Sequence, residues 1–287
     1  MLTPTLAAGS SAVAEPYPLT DLALARRLER TEATANAAYV EARALLQPEV
    51  GAEWIDVAGV YAMFDGPRSP ITQTFGLGLF DPFEEAEFAR IEAFLQGRGA
   101  PVFHEASPLI PGHVLGLLNA RGYHPVEFSS VLVRPITRHA DAAPAAIEAR
   151  RIDAKEIDLW ARVAGEGWSS ESSELAAVVE DFGRIIGHAR GTHCFLAFLD
   201  GKPIAAAALC LTTDIALLAG ASTIPGARRQ GAQRALLAAR LQFAEAHGAR
   251  LAMMVALPGS GSQRNAERQG FRTVYTRTKW QLREGTG

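Results

Sequence analysis

Arg228-Arg229-Gln230-Gly231-Ala232-Gln233-Arg234 joins two segments of opposite pattern. Before it, residues 215–223 (Ile-Ala-Leu-Leu-Ala-Gly-Ala-Ser-Thr) form a short apolar run that reads as a strand. After it, residues 235–247 place Leu, Ala and Phe at helical spacing. The junction is therefore the start of a helix, whose first backbone N–H groups lack partners and carry partial positive charge. Gly231 and Ala232 leave that helix start sterically open, and three arginines surround it. Such a turn suits a phosphorylated, anionic ligand. Two familiar phosphate patterns are absent. There is no Gly-x-x-x-x-Gly-Lys-Ser/Thr, and Gly259-Ser260-Gly261-Ser262-Gln263-Arg264 lacks the third glycine of a dinucleotide fingerprint.

Arg228-x-x-Gly231-x-Gln233 resembles the Gln/Arg-x-x-Gly-x-Gly/Ala signature of the GNAT acetyltransferase superfamily, departing at its last position, where Gln233 stands. Downstream lie a second apolar run at 251–257, then Pro258, a Gly/Ser turn, and a short helical pattern ending Gly270-Phe271. This resembles the superfamily's second landmark, a short helix ending in Gly-Phe beside the pantetheine arm. An alternating stretch, residues 274–282, closes the unit as a strand.

The first half repeats this grammar. Strand, proline, short helix, Gly122-Tyr123 and strand mirror strand, proline, short helix, Gly270-Phe271 and strand. The reading is an internal duplication of one α/β unit. The expected fold class is α/β with an α+β type of mixed sheet: two GNAT-like units in tandem, each a mostly antiparallel sheet flanked by helices. Residues 19–135 are expected to form a degenerate unit without a cofactor site. Residues 146–284 are expected to form the acetyl-CoA-binding unit, with linker composition between. In the first unit the segment facing the basic turn is Leu79-Phe80-Asp81-Pro82-Phe83-Glu84-Glu85. Acids at a helix start repel phosphate, and Asp81-Pro82 reads as the start of the helix itself. Gly76-x-Gly78 reads as a strand bulge or a relic of a lost phosphate turn.

The resemblance implies acetyl-CoA as acyl donor, held by Ser222, Thr223, Ile224, Arg228, Arg229, Gln230, Gly231, Ala232, Gln233, Arg234 and Asn265. Asn265 reads equally as a local helix cap. An amine, small molecule or peptide, would attack the thioester directly. Its pocket is expected near Glu166 and Trp168, although Trp168 reads equally as a core-covering aromatic. No catalytic residue is assigned. Family members often carry a tyrosine acid four residues before the Gly-Phe glycine, where this chain has Ala266, and an acid in the strand that here spans residues 215–223 and has none. Ser262 reads as a helix cap, with proton donation the alternative. A non-catalytic CoA-binding regulatory module, or a scaffold, are the competing readings.

Composition narrows the classes further. The 287 residues carry a formal net charge of -3, which argues against a nucleic-acid binder. No metal-type Cys/His spacing occurs, so no metal is expected. Cys194 and Cys210, both in strand-like runs, read as buried free thiols in a reducing compartment. Residues 1–18 lack signal-peptide features and no apolar run reaches the ~18 residues of a membrane span. A cytoplasmic protein without a membrane partner is expected, its oligomeric state open.

Overall fold

The computed structural model describes residues 17–137 and 146–283. Its strands join into one eleven-stranded sheet. The first half runs α1 (Leu22–Leu46), β1 (Glu53–Val57), β2 (Val60–Phe64), β3 (Thr74–Phe75), α2 (Glu85–Gln96), β4 (Phe103–Ala106), α3 (Gly112–Ala120) and β5 (Tyr123–Pro135). The second runs β6 (Glu148–Arg151), α4 (Ile157–Glu166), α5 (Ser173–His188), β7 (Thr192–Leu199), β8 (Lys202–Leu211), β9 (Ile215–Thr223), α6 (Ala232–Ala246), β10 (Leu251–Ala256), α7 (Gly261–Arg268) and β11 (Arg272–Leu282). Residues 1–16, where most of the signal-peptide reading falls, and residues 138–145 of the linker lie outside the described residues.

Strand order is β1-β2-β3-β4-β11-β5-β10-β9-β8-β7-β6. Only β3–β4 and β9–β10 pair in parallel, so the sheet is mixed and mostly antiparallel, as expected. The order contains an exchange that the sequence pattern does not predict. The last strand of the first half, β5, pairs only with β10 and β11 of the second. The last strand of the second half, β11, pairs only with β4 and β5 of the first. The long β5–β11 ladder reads the same from either strand: Tyr123 faces Leu282, Arg272 faces Val133, and Arg277 faces Ser129 near its middle. The strand order is correspondingly symmetric about that pair, with β4-β3-β2-β1 running out on one side and β10-β9-β8-β7 on the other.

Helix α1 seals this joint. Asp21 caps it by accepting from Leu24 N at 2.8 Å. Its buried Leu24, Leu28 and Val40 share one core with Met63 and Phe75 of the first half and Trp160, Leu196 and Leu217 of the second. Separate clusters lie under α2 and α3 in the first half and under α6 and α7 in the second. Arg43 of α1 reaches Asp65 at 3.0 Å and Asp181 of α5 at 3.4 Å, tying the halves by charge.

Three carboxylates crowd one guanidinium at the centre. Arg277, 1% exposed, meets Glu32 at 2.7 Å, Glu29 at 3.3 Å and Glu105 at 3.6 Å, while the Tyr275 hydroxyl donates to Glu29 at 2.9 Å. Burial outweighs the arginine's attraction, and neighbouring Glu32 adds to it, so the Glu29 carboxyl is pushed up to about 7. A raised pKa means that the folded chain holds a proton which the unfolded chain releases near 4.5. That contribution to stability is full below 4.5 and is lost as pH rises to about 7, a change of roughly 2–4 kcal/mol. Urea unfolding of Glu29→Gln, which stays neutral and can still accept from Tyr275, should match wild type near pH 5 and exceed it near pH 8. A stability difference that is constant with pH would contradict this assignment.

Two local expectations are corrected. Helix α2 starts at Glu85, not at Pro82. Glu84 and Glu87 form a capping box, which satisfies the helix start better than Asp81-Pro82 does. Gly76 and Gly78 lie past the end of the two-residue β3, in a turn with positive φ at both, rather than in a strand bulge.

Candidate active site

In the second half β9 and β10 pair at only three positions, Leu251–Ile215, Ala252–Ala216 and Met253–Leu217. Beyond them the strands part. Residues 218–223 of β9 and Met254 and Val255 of β10 face a cavity of about 700 Å³. The parting begins beside a bulge. Ala206 pairs with Ser222 but Ala208 with Ala219, and Gly220 between them has φ +57. The buried Trp160 indole donates to Ala207 O at 3.2 Å and to Phe195 O at 3.1 Å on the neighbouring strand.

The open end of the cleft meets the start of α6. Arg229 has φ +65 and Gly231 φ +91, a conformation that fits glycine and turns the chain sharply into the helix. Gly231 is the N-cap and no side chain caps the helix. The turn's backbone bonds begin at Arg234 N and Ala235 N, both to Gly231 O. The amides of Arg229 to Gln233, in the turn that lines the cleft, have no backbone acceptor among the described residues. Among the lining residues, Arg228, Arg229, Arg234, Arg240 and Arg268 stand against one acid, Glu171.

Most residues expected at the site line this cavity: Ser222, Thr223, Arg228, Arg229, Gly231, Ala232, Gln233, Arg234 and Asn265. Several side chains do something more specific than expected. Gln233, the departure from the signature, folds back to donate to Ser222 O and Thr223 Oγ1, both at 2.9 Å, and so braces the end of β9. Arg228 turns toward the α4–α5 connection, donating to Gly167 O at 2.8 Å and Ser170 Oγ at 3.1 Å. Ser222 is buried and donates to Ala164 O.

Ile224 and Gln230 stand off the cavity wall. Ile224 spends its N–H on Ile204 O of β8, and Gln230 is exposed at the apex of the turn. On the acceptor side, Trp168 and Glu171 line the cavity, while Glu166 ends α4 exposed and outside the wall. Ser262 is not the cap of α7. Ser260 is, accepting from Gln263 N at 3.1 Å, which leaves Ser262 on the cavity wall beside Ala266.

Tyr275 is removed from the cavity altogether. It is buried against Glu29 at the joint, and burial holds its phenol far above the ordinary range. The histidines are placed structurally: His188 bonds Arg184 O within its own helix, and His193 packs on Phe243. Both cysteines are buried and free, and burial pushes Cys194 up to about 12. Arg240 is among the lining residues that escaped the sequence reading. Arg240 falls at helical spacing between Leu236 and Ala244 on the buried stripe of α6, and a charge in that register was the available signal.

The corresponding place in the first half is built differently. β3 and β4 pair at a single position, Thr74–His104. His104 is clamped between Thr74 Oγ1 at 2.7 Å and the Tyr123 hydroxyl at 3.0 Å, and burial lowers it to about 3. Leu77 and Leu79 are buried where the second half has its open turn, Arg26 donates to Leu79 O, and the start of α2 carries its own acidic cap.

Residues 153–271 match the Acetyltransferase (GNAT) family. Among solved structures the chain is similar to a GCN5-related N-acetyltransferase from Kribbella flavida, at 21% identity and TM-score 0.61, covering 86% of this chain and 96% of that one. It is also similar to a tandem GNAT protein from the clavulanic acid biosynthesis pathway, at 14% identity and TM-score 0.58, covering 93% and 98%. A third, a GCN5-related N-acetyltransferase from Sphaerobacter thermophilus, aligns at 18% identity and TM-score 0.52 over 74% and 73%. At these identities the likeness concerns the fold, and over nearly the whole chain it is a likeness to two units in tandem. No curated protein matches the chain.

Proposed function

Because residues 153–271 match the Acetyltransferase (GNAT) family, we propose that the chain is an N-acyltransferase drawing its acyl group from an acyl-CoA thioester, acetyl-CoA being the reference donor. One observation carries the reading: β9 and β10 part over a cleft that runs directly into the uncapped, arginine-rich start of α6. The pyrophosphate sits on the amides of Gly231–Gln233, and the pantetheine arm lies along β9. Asn265 and Phe271 border the arm from the α7 side. The acceptor amine enters past Trp168 and Glu171.

The amine nitrogen bonds to the thioester carbon, and the carbon–sulfur bond breaks with its electron pair leaving on sulfur. The amine loses a proton and the thiolate gains one. A thiol of pKa near 8.5 leaves tolerably as thiolate near neutral pH, so the reaction does not depend on a phenol where Ala266 stands. Ser262→Ala should then lower turnover only a few-fold, less than the ~100-fold typical of a lost general acid. Ala266→Tyr should be tolerated, and Tyr275→Phe should leave turnover intact. Abolished turnover in Tyr275→Phe with CoA still bound would give the acid role to a phenol after all.

We place one such site per chain, in a unit bounded near residues 146–284, with residues 19–135 as a unit that has lost its own. The plugged β3–β4 region and acidic α2 start support this. The described residues contain no helix long and apolar enough to cross a membrane, and two buried free thiols agree with a reducing cytoplasm. The second reading, a CoA-binding module without turnover, draws on Ala266 and on the absence of acids from β9. Isothermal titration with CoA, followed by thiol-release assays across amino acids, polyamines, aminoglycosides and peptides, separates them. Expected are one CoA per chain and release with at least one amine class. Two CoA per chain would remove the one-site assignment, and binding without release would favour the module.

A further inference from the structure

Arg240 lies nine residues beyond Gly231 on α6, about 14 Å along the helix axis. It is 4% exposed and lines the same cavity. Its Nη1 donates to Ala208 O at 3.1 Å and its Nε to Leu236 O at 3.2 Å. Both acceptors are neutral carbonyls, and its Nη2 has no protein partner among the described residues. Among the described residues no carboxylate forms an ion pair with it, whereas the other buried arginines, Arg43 and Arg277, are each paired with acids.

Burial draws Arg240 down only to about 10, so it is cationic at neutral pH. A buried charge without a counter-charge is costly, and proteins ordinarily pair it. This one sits on the wall of an open cleft beside Leu218, Gly220, Leu237 and Met254, where β9 and β10 begin to part. A pyrophosphate at Gly231 and an extended pantetheine arm along β9 bring the thioester to this inner end, since the arm's reach is comparable to the rise from Gly231 to Arg240. A donor ending in a methyl group leaves the guanidinium unanswered. A donor ending in a carboxylate supplies the missing counter-charge through charge-assisted hydrogen bonds.

We propose that the acyl group carried into this cleft ends in a carboxylate, as in malonyl or succinyl thioesters, and that Arg240 selects it. The inference rests on the acyl-CoA reading above and narrows its donor. Isothermal titration of the wild-type chain with CoA, acetyl-CoA, malonyl-CoA and succinyl-CoA tests it. At least one dicarboxylic thioester should bind about tenfold or more tightly than acetyl-CoA, the scale of one charge-assisted contact. In Arg240→Met that margin should vanish while affinity for free CoA holds. Arg240→Lys, which keeps the charge, should retain part of it. Should Arg240→Met fail to fold, the wild-type comparison decides alone. Equal wild-type affinity for acetyl and dicarboxylic thioesters, or a margin that survives in Arg240→Met, overturns the donor assignment while the acyl-CoA reading stands. A wild-type chain that binds none of the four overturns both.

Discussion

Residues 1–137 and 138–287 produced as separate chains are expected to be unfolded alone and to regain structure only on mixing. The reason is the reciprocal placement of β5 and β11. Each has both of its ladder neighbours in the other half of the chain. Without its partner, the first half leaves the backbone of β5 unpaired on both edges and exposes Val131, Leu132 and Val133, all fully buried in the whole protein. The second half loses the neighbours of β11 and the α1 side chains that cover Trp160 and Leu217. Three core aliphatics at about 1.5–3 kcal/mol each, before any lost hydrogen bond, are comparable to the lower part of the 5–15 kcal/mol that stabilises an ordinary domain. For the same reason, cleavage at a protease site engineered into residues 138–145 should leave a single species in gel filtration. Two halves that each unfold cooperatively on their own in near-ultraviolet circular dichroism would refute the exchange.

Gly231→Glu should weaken CoA binding by about 100-fold or more while the chain stays folded. The backbone at Gly231 has φ +91, where any side chain costs about 1 kcal/mol. A carboxylate there also enters the space that we assign to pyrophosphate and opposes it at the positive end of α6. Gly231→Ala separates the contributions: it carries the backbone strain without the charge and should lose far less affinity. Unchanged CoA affinity in a folded Gly231→Glu chain would move the phosphate seat elsewhere.

Much of this was legible in local pattern. The strand, open turn and helix around Arg228–Arg234 are set by neighbours in sequence, and the short helix expected before Gly122-Tyr123 is α3. The duplicated Gly-aromatic landmarks give two units, and the tandem fold agrees. The exchange was not legible, because strand partners are chosen by tertiary packing and alternation in residues 274–282 names no neighbour. The α2 start was misread because two signals competed, and the reciprocal Glu84–Glu87 cap outweighed a proline three residues earlier. Ser260 and Ser262 posed a like ambiguity, since either serine can cap and only backbone geometry decides. Side-chain duties at the site were hidden as well. Gln233 bracing β9, and Arg228 reaching Gly167 and Ser170 some sixty positions upstream, depend on contacts that no spacing records.

The traded strands also bear on ancestry and dilution. A chain holding one such unit has a gap between its last two strands that a second copy can fill, and two copies filling each other's gaps form a dimer that dissociates when dilute. Joining the copies end to end replaces that encounter by one at an effective concentration on the order of millimolar, so the assembled sheet ceases to depend on how much protein is present. Joining also ends enforced symmetry. In a homodimer every substitution appears twice, at both clefts. In the fused chain one half can accumulate Glu84, Glu87 and a buried His104 while the other keeps Gly231 bare, and the first half is retained because its last strand completes the sheet of the second.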